Sequence, residues 1–299
     1  MLRSFFQRHA VMEVDTPIVS CATVTDLNID SISATVSGVN CYLQTSPEYF
    51  MKRLLASGVG DIYYLGKAFR DAELGPRHNP EFTLLEWYRL NWDEFELMKE
   101  IEQLIALAFQ LADRCQPLVT QKSYRECVAD ALGIDPHTSN LEDLQQLAVE
   151  RGYPDWRDEN RANCLDLLFS ELVEPNLPEG LVFIYDYPAC QSALAQTKLD
   201  TDNCLVSRRF EVFLNRMELA NGYYELTDSS EQRQRFESDI EARAAAQKAD
   251  VAMDEKFNSA ILAGLPQCSG VALGVDRLLM QLYGQQSIDK VLPFAWDRC

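Results

Sequence analysis

The sequence predicts an α+β fold in which helices flank a mainly antiparallel sheet. Long segments with helical periodicity are interspersed with alternating strands and hairpins, an order that is typical of this class. No G-x-G-x-x-G motif or Walker loop occurs, which disfavours a Rossmann fold. With 299 residues, of which 47% are hydrophobic, the chain can bury a substantial core in one large domain or two small ones.

The first third of the chain predicts a short helix, a strand and a long helix. "RSFFQRHAVMEVDTP" reads as the end of a helix followed by an extended segment that Pro17 stops. In "TLLEWYRL", strand alternation places Leu84, Glu86 and Tyr88 on one face. From Trp92 to Arg114, apolar residues recur at three- and four-residue steps, which predicts the clearest helix of the chain.

Residues 115–188 predict a helical insertion within a single domain that spans residues 1–299. Short helical patterns in this segment are broken by Gly and Pro, and the buried strand "LVFIYDY" ends at Pro188. Beyond the insertion, "RRFEVFLNRMELANGYYELTD" predicts two strands joined by a turn at Asn221-Gly222.

The last quarter predicts a helix, a strand of small residues and a second helix. Asp228 and Glu231 have the spacing of a capping box, so a helix is expected from there to about Lys248. "SGVALGVDRLLMQLYG" predicts a strand that passes into a helix beginning near Asp276.

Charge and cysteine usage exclude several function classes. Lys and Arg number 27 against 46 Asp and Glu, and the net charge of −19 argues against extended nucleic-acid contact but not against a small anionic ligand. Nine scattered cysteines without a C-x-x-C motif disfavour a disulfide framework or a zinc site and favour a reducing cytoplasm. The sequence shows no signal peptide and no apolar run of membrane-spanning length, so no membrane association is expected.

The strand around residue 86 carries a carboxylate beside a phenol. Because Glu86 and Tyr88 project from the same face, they form a suitable receptor for an ammonium group. An exposed face of an amphipathic strand explains the same pattern equally well, so both interpretations are open.

The loop before this strand is cationic. Arg70, Arg77 and His78 are suited to neutralising a polyphosphate, and Phe82 offers a ring on which a planar base can stack. The alternative is a surface loop with ordinary charges, which composition alone favours.

A third segment, "MELANGYYEL", places two acids near a predicted turn. If the turn lies at Asn221-Gly222, Glu218 is opposite Glu225, and like charges in that position are destabilising without a cation between them. Mg²⁺ bound to carboxylates and substrate phosphates meets that need. The alternative is a different register in which both acids face water, and this segment alone slightly favours it.

The fourth segment is "GVALGVDRLLM". Gly274 allows close backbone approach to a ligand, and Arg277 falls in the first turn of a helix, where a cation is unfavourable against the helix dipole. A position over an aromatic ring or beside a phosphate would explain this arginine.

Together these segments resemble the class II aminoacyl-tRNA synthetases and, within them, the lysyl branch. "FFQRHAVMEVDTP" is similar to the first motif of that family, which lies at its dimer interface. "FRDAELGPRHNPEFTLLEWY" is similar to the second motif and "GVALGVDRLLM" to the third, while "TSPEYFMKRLL" and "MELANGYYELTD" match the lysyl branch. The resemblance spans nearly the whole chain, and H-N-P-E-F-T followed by E-x-Y is a specific signature.

The resemblance implies a role for each of these positions. Arg70 is expected to hold the ATP α-phosphate, and Phe82 and Arg277 to enclose the adenine. The complete expected ATP site comprises Arg70, Asp71, Ala72, Arg77, His78, Asn79, Phe82, Glu218, Leu219, Gly274 and Arg277. The expected amino-acid site comprises Ser46, Pro47, Glu48, Glu86, Tyr88, Glu225 and Ala272. Glu218 and Glu225 are the expected Mg²⁺ ligands, and with Arg70 and Arg277 they form the expected catalytic set.

One feature departs from the pattern of the whole family, and two further features separate the chain from the tRNA-charging enzymes of the lysyl branch. The second motif usually reads Arg-x-Glu, but here it is Arg70-Asp71-Ala72, with the glutamate displaced to Glu73. Ala272 stands where the tRNA enzymes typically have glycine, and no anticodon-binding domain is expected before the first motif.

The last two features are similar to the short lysyl paralogues that attach (R)-β-lysine to a lysine of translation elongation factor P. The resemblance therefore implies a homodimeric, ATP- and Mg²⁺-dependent ligase that acts on a lysine-like amino acid and this protein substrate. Two alternatives are open at this point: a lysyl-tRNA synthetase core, and a catalytically silent paralogue with a regulatory binding role.

Overall fold

The computed structural model describes all residues from Met1 to Cys299. The α-helices are α1 (Leu2–Arg8), α2 (Glu48–Ala56), α3 (Glu94–Leu111), α4 (Tyr124–Leu132), α5 (Leu141–Glu150), α6 (Arg161–Leu168), α7 (Ser229–Ala245), α8 (Glu255–Gly264) and α9 (Val275–Tyr283). The strands are β1 (Met12–Glu13), β2 (Val19–Ser20), β3 (Ser33–Val36), β4 (Val39–Leu43), β5 (Ile62–Phe69), β6 (Glu81–Leu90), β7 (Val119–Ser123), β8 (Leu181–Pro188), β9 (Thr197–Leu199), β10 (Leu205–Leu214), β11 (Met217–Tyr224) and β12 (Cys268–Gly274).

The chain divides into two compact units. The first contains residues 1–114 and 225–299, and the second contains residues 115–224. The predicted insertion, residues 115–188, falls within the second unit, which continues through β9, β10 and β11. None of the helices combines the length and the hydropathy that crossing a lipid bilayer requires.

In the first unit, β6 is the strand that positions the most important side chains. It pairs antiparallel with β5 on one side and with β12 on the other, while β1 adds to β5 in parallel. A separate antiparallel sheet has the order β2-β4-β3. The predicted strand around residue 86 is thereby confirmed, together with its alternation.

The odd-numbered face of β6 packs into the core of this unit. Trp87 is fully buried and its indole Nε1 donates a hydrogen bond to Glu100 on α3 at 2.9 Å. The ring of Phe6, on α1, contacts Trp87 edge to face at a centroid distance of 5.4 Å. Since this face is covered by α1 and α3, the opposite face of β6 is the one that can serve a ligand.

Helix α3 confirms the helix predicted over residues 92–114, with shorter bounds. Its start is set by a capping box, in which the Asp93 side chain accepts from the Glu96 N–H and the Glu96 side chain accepts from the Asp93 N–H. Asp228 likewise caps α7 by accepting from the N–H groups of Ser230 and Glu231, which confirms the start predicted there.

The second unit contains five strands, β7 to β11, and a core of its own. Strands β11, β10 and β8 are antiparallel neighbours, β7 extends β8 in parallel, and β9 pairs with β10. Against this sheet, the stacked rings of Tyr124 and Phe169 join a buried cluster with Tyr187 and Phe213.

The predicted turn at Asn221-Gly222 is wrong. Strand β11 continues through both residues, and Asn221 is paired with Glu211 of β10. The turn lies instead at Asn215 and Arg216, whose φ angles of 50° and 65° are the left-handed values that a two-residue hairpin turn requires.

The corrected register also separates the two acids that were expected to be opposite each other. Glu218 pairs with Phe213, beside an irregularity in the ladder, and Glu225 follows the end of β11. The expectation that both acids face water is also wrong, because Glu225 is only 1% exposed.

Candidate active site

The even-numbered face of β6 lies above a floor of small residues. Residues opposite each other in neighbouring strands point to the same side of a sheet. Leu84 is paired with Gly274, Glu86 with Ala272, and Tyr88 with Gly270. Because β12 has almost no side-chain bulk at these positions, space remains above the sheet for larger groups.

Gly270 shows how tightly this space is used. A Cβ atom at this position would lie 2.3 Å from Cε1 of Tyr88 and 2.5 Å from Oε1 of Glu225. Glycine is therefore required for the Tyr88 ring to lie across β12 and for Glu225 to approach it.

Glu86 is held by two hydroxyl groups. Its Oε1 accepts a hydrogen bond from the Tyr88 hydroxyl at 2.8 Å, and its Oε2 accepts one from Ser46 Oγ at 2.6 Å. Glu86 and Tyr88 are each only 2% exposed, so the interpretation as an exposed strand face is wrong. Burial, reinforced by the charge of Glu48, raises the pKa of Glu86 to about 7.

The start of α2 adds further charged groups to the surroundings of Glu86. Pro47 is the N-cap residue of α2, and the Glu48 N–H donates to Ser46 Oγ at 3.1 Å. One turn later, Lys52 places its ammonium group 2.6 Å from Oε1 of Glu48 and 2.6 Å from Oε2 of Glu225. We call the group formed by Glu48, Lys52, Glu86, Tyr88 and Glu225 the acidic pocket.

The acidic pocket has an excess of negative charge. It contains three carboxyl groups and one ammonium group, so its formal charge is −2 when all of them are ionised. Burial raises the pKa of Glu225 to about 8, although Lys52 acts in the opposite direction. Burial lowers the pKa of Lys52, but the attraction of Glu225 and Glu48 outweighs it and raises that pKa above its ordinary value. Such a pocket is suited to receiving cations.

Arg70 is the first arginine of the cationic loop, residues 70–79. Its guanidinium carbon lies 5.2 Å from the centroid of the Phe82 ring, and its Nε is 3.4 Å from the backbone oxygen of Thr45. Its side chain is 28% exposed and lies 3.4 Å from the carboxylate of Glu73. The glutamate displaced by one position in the second motif therefore still pairs with this arginine.

Ala72 occupies the position left by that displacement and has a left-handed backbone, with φ at 59°. Its N–H donates to the side chain of Asp71 at 2.8 Å, and the Asp71 N–H donates to the Asp30 carbonyl at 2.8 Å. An alanine side chain offers no polar group, so only backbone atoms of Ala72 are available to a nucleotide.

The end of the cationic loop contacts the start of α9. Arg277 Nη2 lies 2.7 Å from His78 Nε2, and Arg277 Nε is 3.4 Å from the Arg77 carbonyl. The structure therefore brings these three expected ATP-site residues together.

Asn79 is buried, and its side chain fixes the loop. Its Nδ2 donates to the Glu81 carbonyl at 2.7 Å, and its Oδ1 accepts from the Trp296 N–H at 3.0 Å. It therefore joins the cationic loop to the C-terminal segment.

Glu218 and Leu219 belong to β11 in the second unit, where Leu219 is buried. No group of three or more His, Cys, Asp or Glu side chains is arranged to hold a metal ion. The assignment of Glu218 and Glu225 as Mg²⁺ ligands stays a prediction.

Sequence reasoning missed two residues of the site. Lys52 follows Glu48 by four positions in a helix, a spacing at which opposite charges meet, and this signal could have found it. Asp276 accepts a hydrogen bond from the Thr83 N–H at 2.7 Å and so fixes α9 to β6. This second contact joins segments 193 residues apart and has no local signal.

Comparison with known proteins identifies the family. The model of the class II tRNA synthetases (D, K and N) matches residues 1–298. Proteins named elongation factor P–(R)-β-lysine ligase from Salmonella typhimurium strain LT2, Salmonella typhi and Salmonella dublin are each 44% identical to this chain over 306 residues. These alignments cover 99% of this chain and 92% of each relative. The predicted α+β, synthetase-like fold is confirmed, and the chain belongs to the class II tRNA synthetase family.

Proposed function

We propose that this chain is an AMP-forming ligase that activates (R)-β-lysine with ATP and transfers it to a lysine ε-amine of translation elongation factor P. The name of its 44% identical relatives supports this assignment, since the alignments extend over nearly the whole length of both chains. A cytoplasmic location and a homodimeric state are part of the proposal.

The observation that carries the proposal is that strand β6 lies beside a cationic group near one end and beside an acidic pocket further along. Along β6, Phe82 lies beside the Arg70 guanidinium, and Glu86 lies in the acidic pocket four residues further on. At about 3.3 Å per residue, these two positions are about 13 Å apart. An aminoacyl-adenylate has the same arrangement, with a nucleotide at one end and ammonium groups at the other.

The first step is activation. The carboxylate of the amino acid attacks the α-phosphorus of ATP, which forms the acyl-adenylate and releases pyrophosphate. The Arg70 guanidinium is suited to neutralising charge on the phosphate oxygens. The acidic pocket holds the ammonium groups and thereby aligns the carboxylate with the phosphorus.

The second step is transfer. The ε-amine of the acceptor lysine attacks the acyl carbon, an amide forms, and AMP leaves with the bonding electrons of the acyl–oxygen bond. Neither step needs a nucleophilic side chain from this protein. Mg²⁺, when bound to the ATP phosphates, supplies further charge neutralisation at the triphosphate.

Pyrophosphate exchange tests the proposal. We expect ATP–pyrophosphate exchange that depends on (R)-β-lysine and is weaker with α-lysine. Glu86→Gln should raise the KM for β-lysine about tenfold or more while leaving the KM for ATP nearly unchanged, because it removes a carboxylate from the acidic pocket alone.

Mass spectrometry of the protein substrate completes the test. Elongation factor P incubated with this protein, ATP and β-lysine should gain the mass of one β-lysyl group on a lysine. Charging of total tRNA with α-lysine would instead support a lysyl-tRNA synthetase core. Absence of exchange with either isomer would support the catalytically silent paralogue.

A further inference from the structure

Gln44 is a buried residue that directly follows β4 and precedes the expected substrate contact Ser46 by two positions. Its side-chain Oε1 accepts a hydrogen bond from Thr16 Oγ1 at 3.1 Å. Its Nε2 donates to the Tyr64 hydroxyl at 2.8 Å and to the Lys67 carbonyl at 2.9 Å. Both N–H groups of the amide are therefore used. We call Gln44 together with these three partners the amide network.

Tyr64 reaches the amide because β5 carries no side chain at Gly66. A Cβ atom at Gly66 would lie 2.5 Å from Cζ of the Tyr64 ring, so only glycine leaves room for the phenol. The Tyr64 hydroxyl also donates to the Lys67 carbonyl at 3.1 Å. In the pairing of β5 with β6, Tyr64 is opposite Glu86, so both side chains lie on the same side of the sheet. The amide network therefore lies beside the expected amino-acid site.

The two residues after Gln44 contact both ends of the proposed adenylate site. The Thr45 carbonyl accepts a hydrogen bond from Arg70 Nε at 3.4 Å, at the end expected to bind the nucleotide. Ser46 Oγ donates to the carboxyl group of Glu86 at 2.6 Å, at the end expected to bind the amino acid. A displacement of residue 44 would therefore change the position of one end relative to the other.

The main chain of Gln44 is fixed at the same place. Its N–H donates to the Ile18 carbonyl at 2.8 Å, and its carbonyl accepts from the N–H of Phe69, the residue before Arg70, at 2.9 Å. An apolar side chain could fill the space of Gln44 without needing hydrogen bonds, whereas a buried amide costs free energy unless its polar atoms are paired. A buried polar group that is fully paired makes the surrounding structure rigid.

We infer that Gln44 is a positioning residue whose amide holds Thr45 and Ser46 so that Arg70 and Glu86 keep the separation that adenylate formation requires. This inference rests on the proposed function, in which the substrate carboxylate must be aligned with the α-phosphorus of ATP. A misplacement of about 1 Å can lower such a rate about 100-fold. Loss of the amide should therefore slow adenylate formation more than it weakens the binding of either substrate.

The experiment measures the first turnover of the full-length Gln44→Met variant by quench-flow, as pyrophosphate release at saturating (R)-β-lysine and ATP without the acceptor protein. The amplitude of this turnover counts the active molecules, whereas its rate constant does not depend on how many molecules are active. We expect the rate constant to fall about tenfold, while the half-saturating concentrations of β-lysine and ATP stay within about threefold. A merely structural role of Gln44 would lower the amplitude and leave the rate constant unchanged.

Gln232→Met provides the matched control. Gln232, on α7, is also a buried amide, but neither its Oε1 nor its Nε2 has a hydrogen-bond partner. The same exchange of side chains at this position should leave the rate constant within about twofold of the wild-type value. An equal loss in both variants, or an unchanged rate constant in Gln44→Met, would overturn the inference.

Thr16→Val keeps the inference testable if Gln44→Met does not fold, as judged by circular dichroism. Valine has nearly the shape of threonine but cannot donate to Gln44 Oε1, so the rate constant should fall about threefold. An unchanged rate constant in Thr16→Val would then overturn the inference while leaving the proposed function intact. If the wild-type protein forms no adenylate with any lysine isomer, the proposed function fails and the inference fails with it.

Discussion

At the scale of single residues, the carboxyl group of Glu86 makes the stability of the folded protein depend on pH. Burial raises the pKa of its carboxyl group from 4.5 to about 7, so the folded state binds this proton more tightly than the unfolded state does. The stability contributed by this proton is present below pH 4.5 and is lost as the pH rises to 7. A shift of this size corresponds to a loss on the order of 3 kcal/mol.

We therefore expect the free energies of unfolding of the wild-type protein and of Glu86→Gln to diverge between pH 4.5 and 7. The wild-type value should fall relative to that of the variant, because glutamine does not titrate. Urea unfolding at several pH values measures the difference. Glu241→Gln, at an exposed position, is the control for the replacement of a carboxylate by an amide without burial. If the free energies of unfolding of the wild-type protein and of Glu86→Gln changed in parallel with pH, burial would not be raising the pKa of Glu86.

Gly270 is the second residue for which the structure makes a direct prediction. Gly270→Ala should lower the free energy of unfolding by about 1–3 kcal/mol, because the new Cβ overlaps the Tyr88 ring. It should also raise the KM for β-lysine, since Tyr88 and Glu225 must move.

Thermal unfolding and exchange kinetics check both effects. Gly75→Ala is the matched control, because a Cβ at Gly75 has no atom within 4 Å and its φ is not positive. This variant should change the free energy of unfolding by less than about 0.5 kcal/mol. An equal loss of stability in both glycine variants would show that the close approach to Tyr88 is not the cause.

The residues of the site differ in how far the sequence could predict them. Glu86 and Tyr88 could be placed on one face because the period of a strand is a local property. Their burial could not be predicted, since it depends on β12, which is paired with β6 from more than 170 residues further along the chain. Lys52 has a local signal in its spacing from Glu48, but its second partner, Glu225, does not.

At the scale of elements, the hairpin of β10 and β11 shows how local signals compete. Asn-Gly is the stronger turn dipeptide, yet the chain turns at Asn215 and Arg216. Moving the turn to Asn221 would shift the pairing and take residues such as Val212 and Leu219 out of their buried positions. Burial of the strand faces therefore outweighs the preference of the dipeptide.

The Asn215 turn makes a testable prediction. Asn215→Ala should lower the free energy of unfolding by about 1–2 kcal/mol, because alanine is strained at a φ of 50°. The variant also loses the hydrogen bond that the Gly180 N–H donates to Asn215 Oδ1 at 3.0 Å.

Asn215→Gly separates these two causes, because glycine accepts the left-handed backbone and loses only the hydrogen bond. Its destabilisation should be smaller than that of Asn215→Ala when both are measured by urea unfolding. If alanine were tolerated as well as glycine, the turn would not need a left-handed residue at this position.

At the scale of the whole molecule, the sequence motifs predict the family well, but they do not predict how the chain divides into units. The three class II segments are contiguous and can be recognised one by one. The division into two units cannot be recognised in this way, because the first unit joins residues 1–114 with residues 225–299. Pairings across such long separations leave no periodic pattern in the local sequence.

The net charge of −19 leads to a prediction about how the melting temperature of the whole molecule depends on salt. Like charges spread over the surface repel one another in the compact state more than in the expanded unfolded chain. Salt screens this repulsion over a Debye length that falls from about 30 Å at 0.01 M to about 10 Å at 0.1 M. The melting temperature should therefore rise as NaCl is added in this range. The buried pair of Lys52 and Glu225 is screened much less and should contribute little to the change.

Charge reversal at exposed positions distinguishes this repulsion from a general effect of salt on hydration. Asp158→Lys and Asp250→Lys, both at exposed positions, each make the net charge two units less negative. In the double variant, the melting temperature at low salt should exceed that of the wild-type protein, and its increase with NaCl should be smaller. Differential scanning calorimetry at 0.01 and 0.1 M NaCl measures both. If the salt dependence of the double variant equals that of the wild-type protein, self-repulsion does not limit the stability of this chain, because a hydration effect would act on both proteins alike.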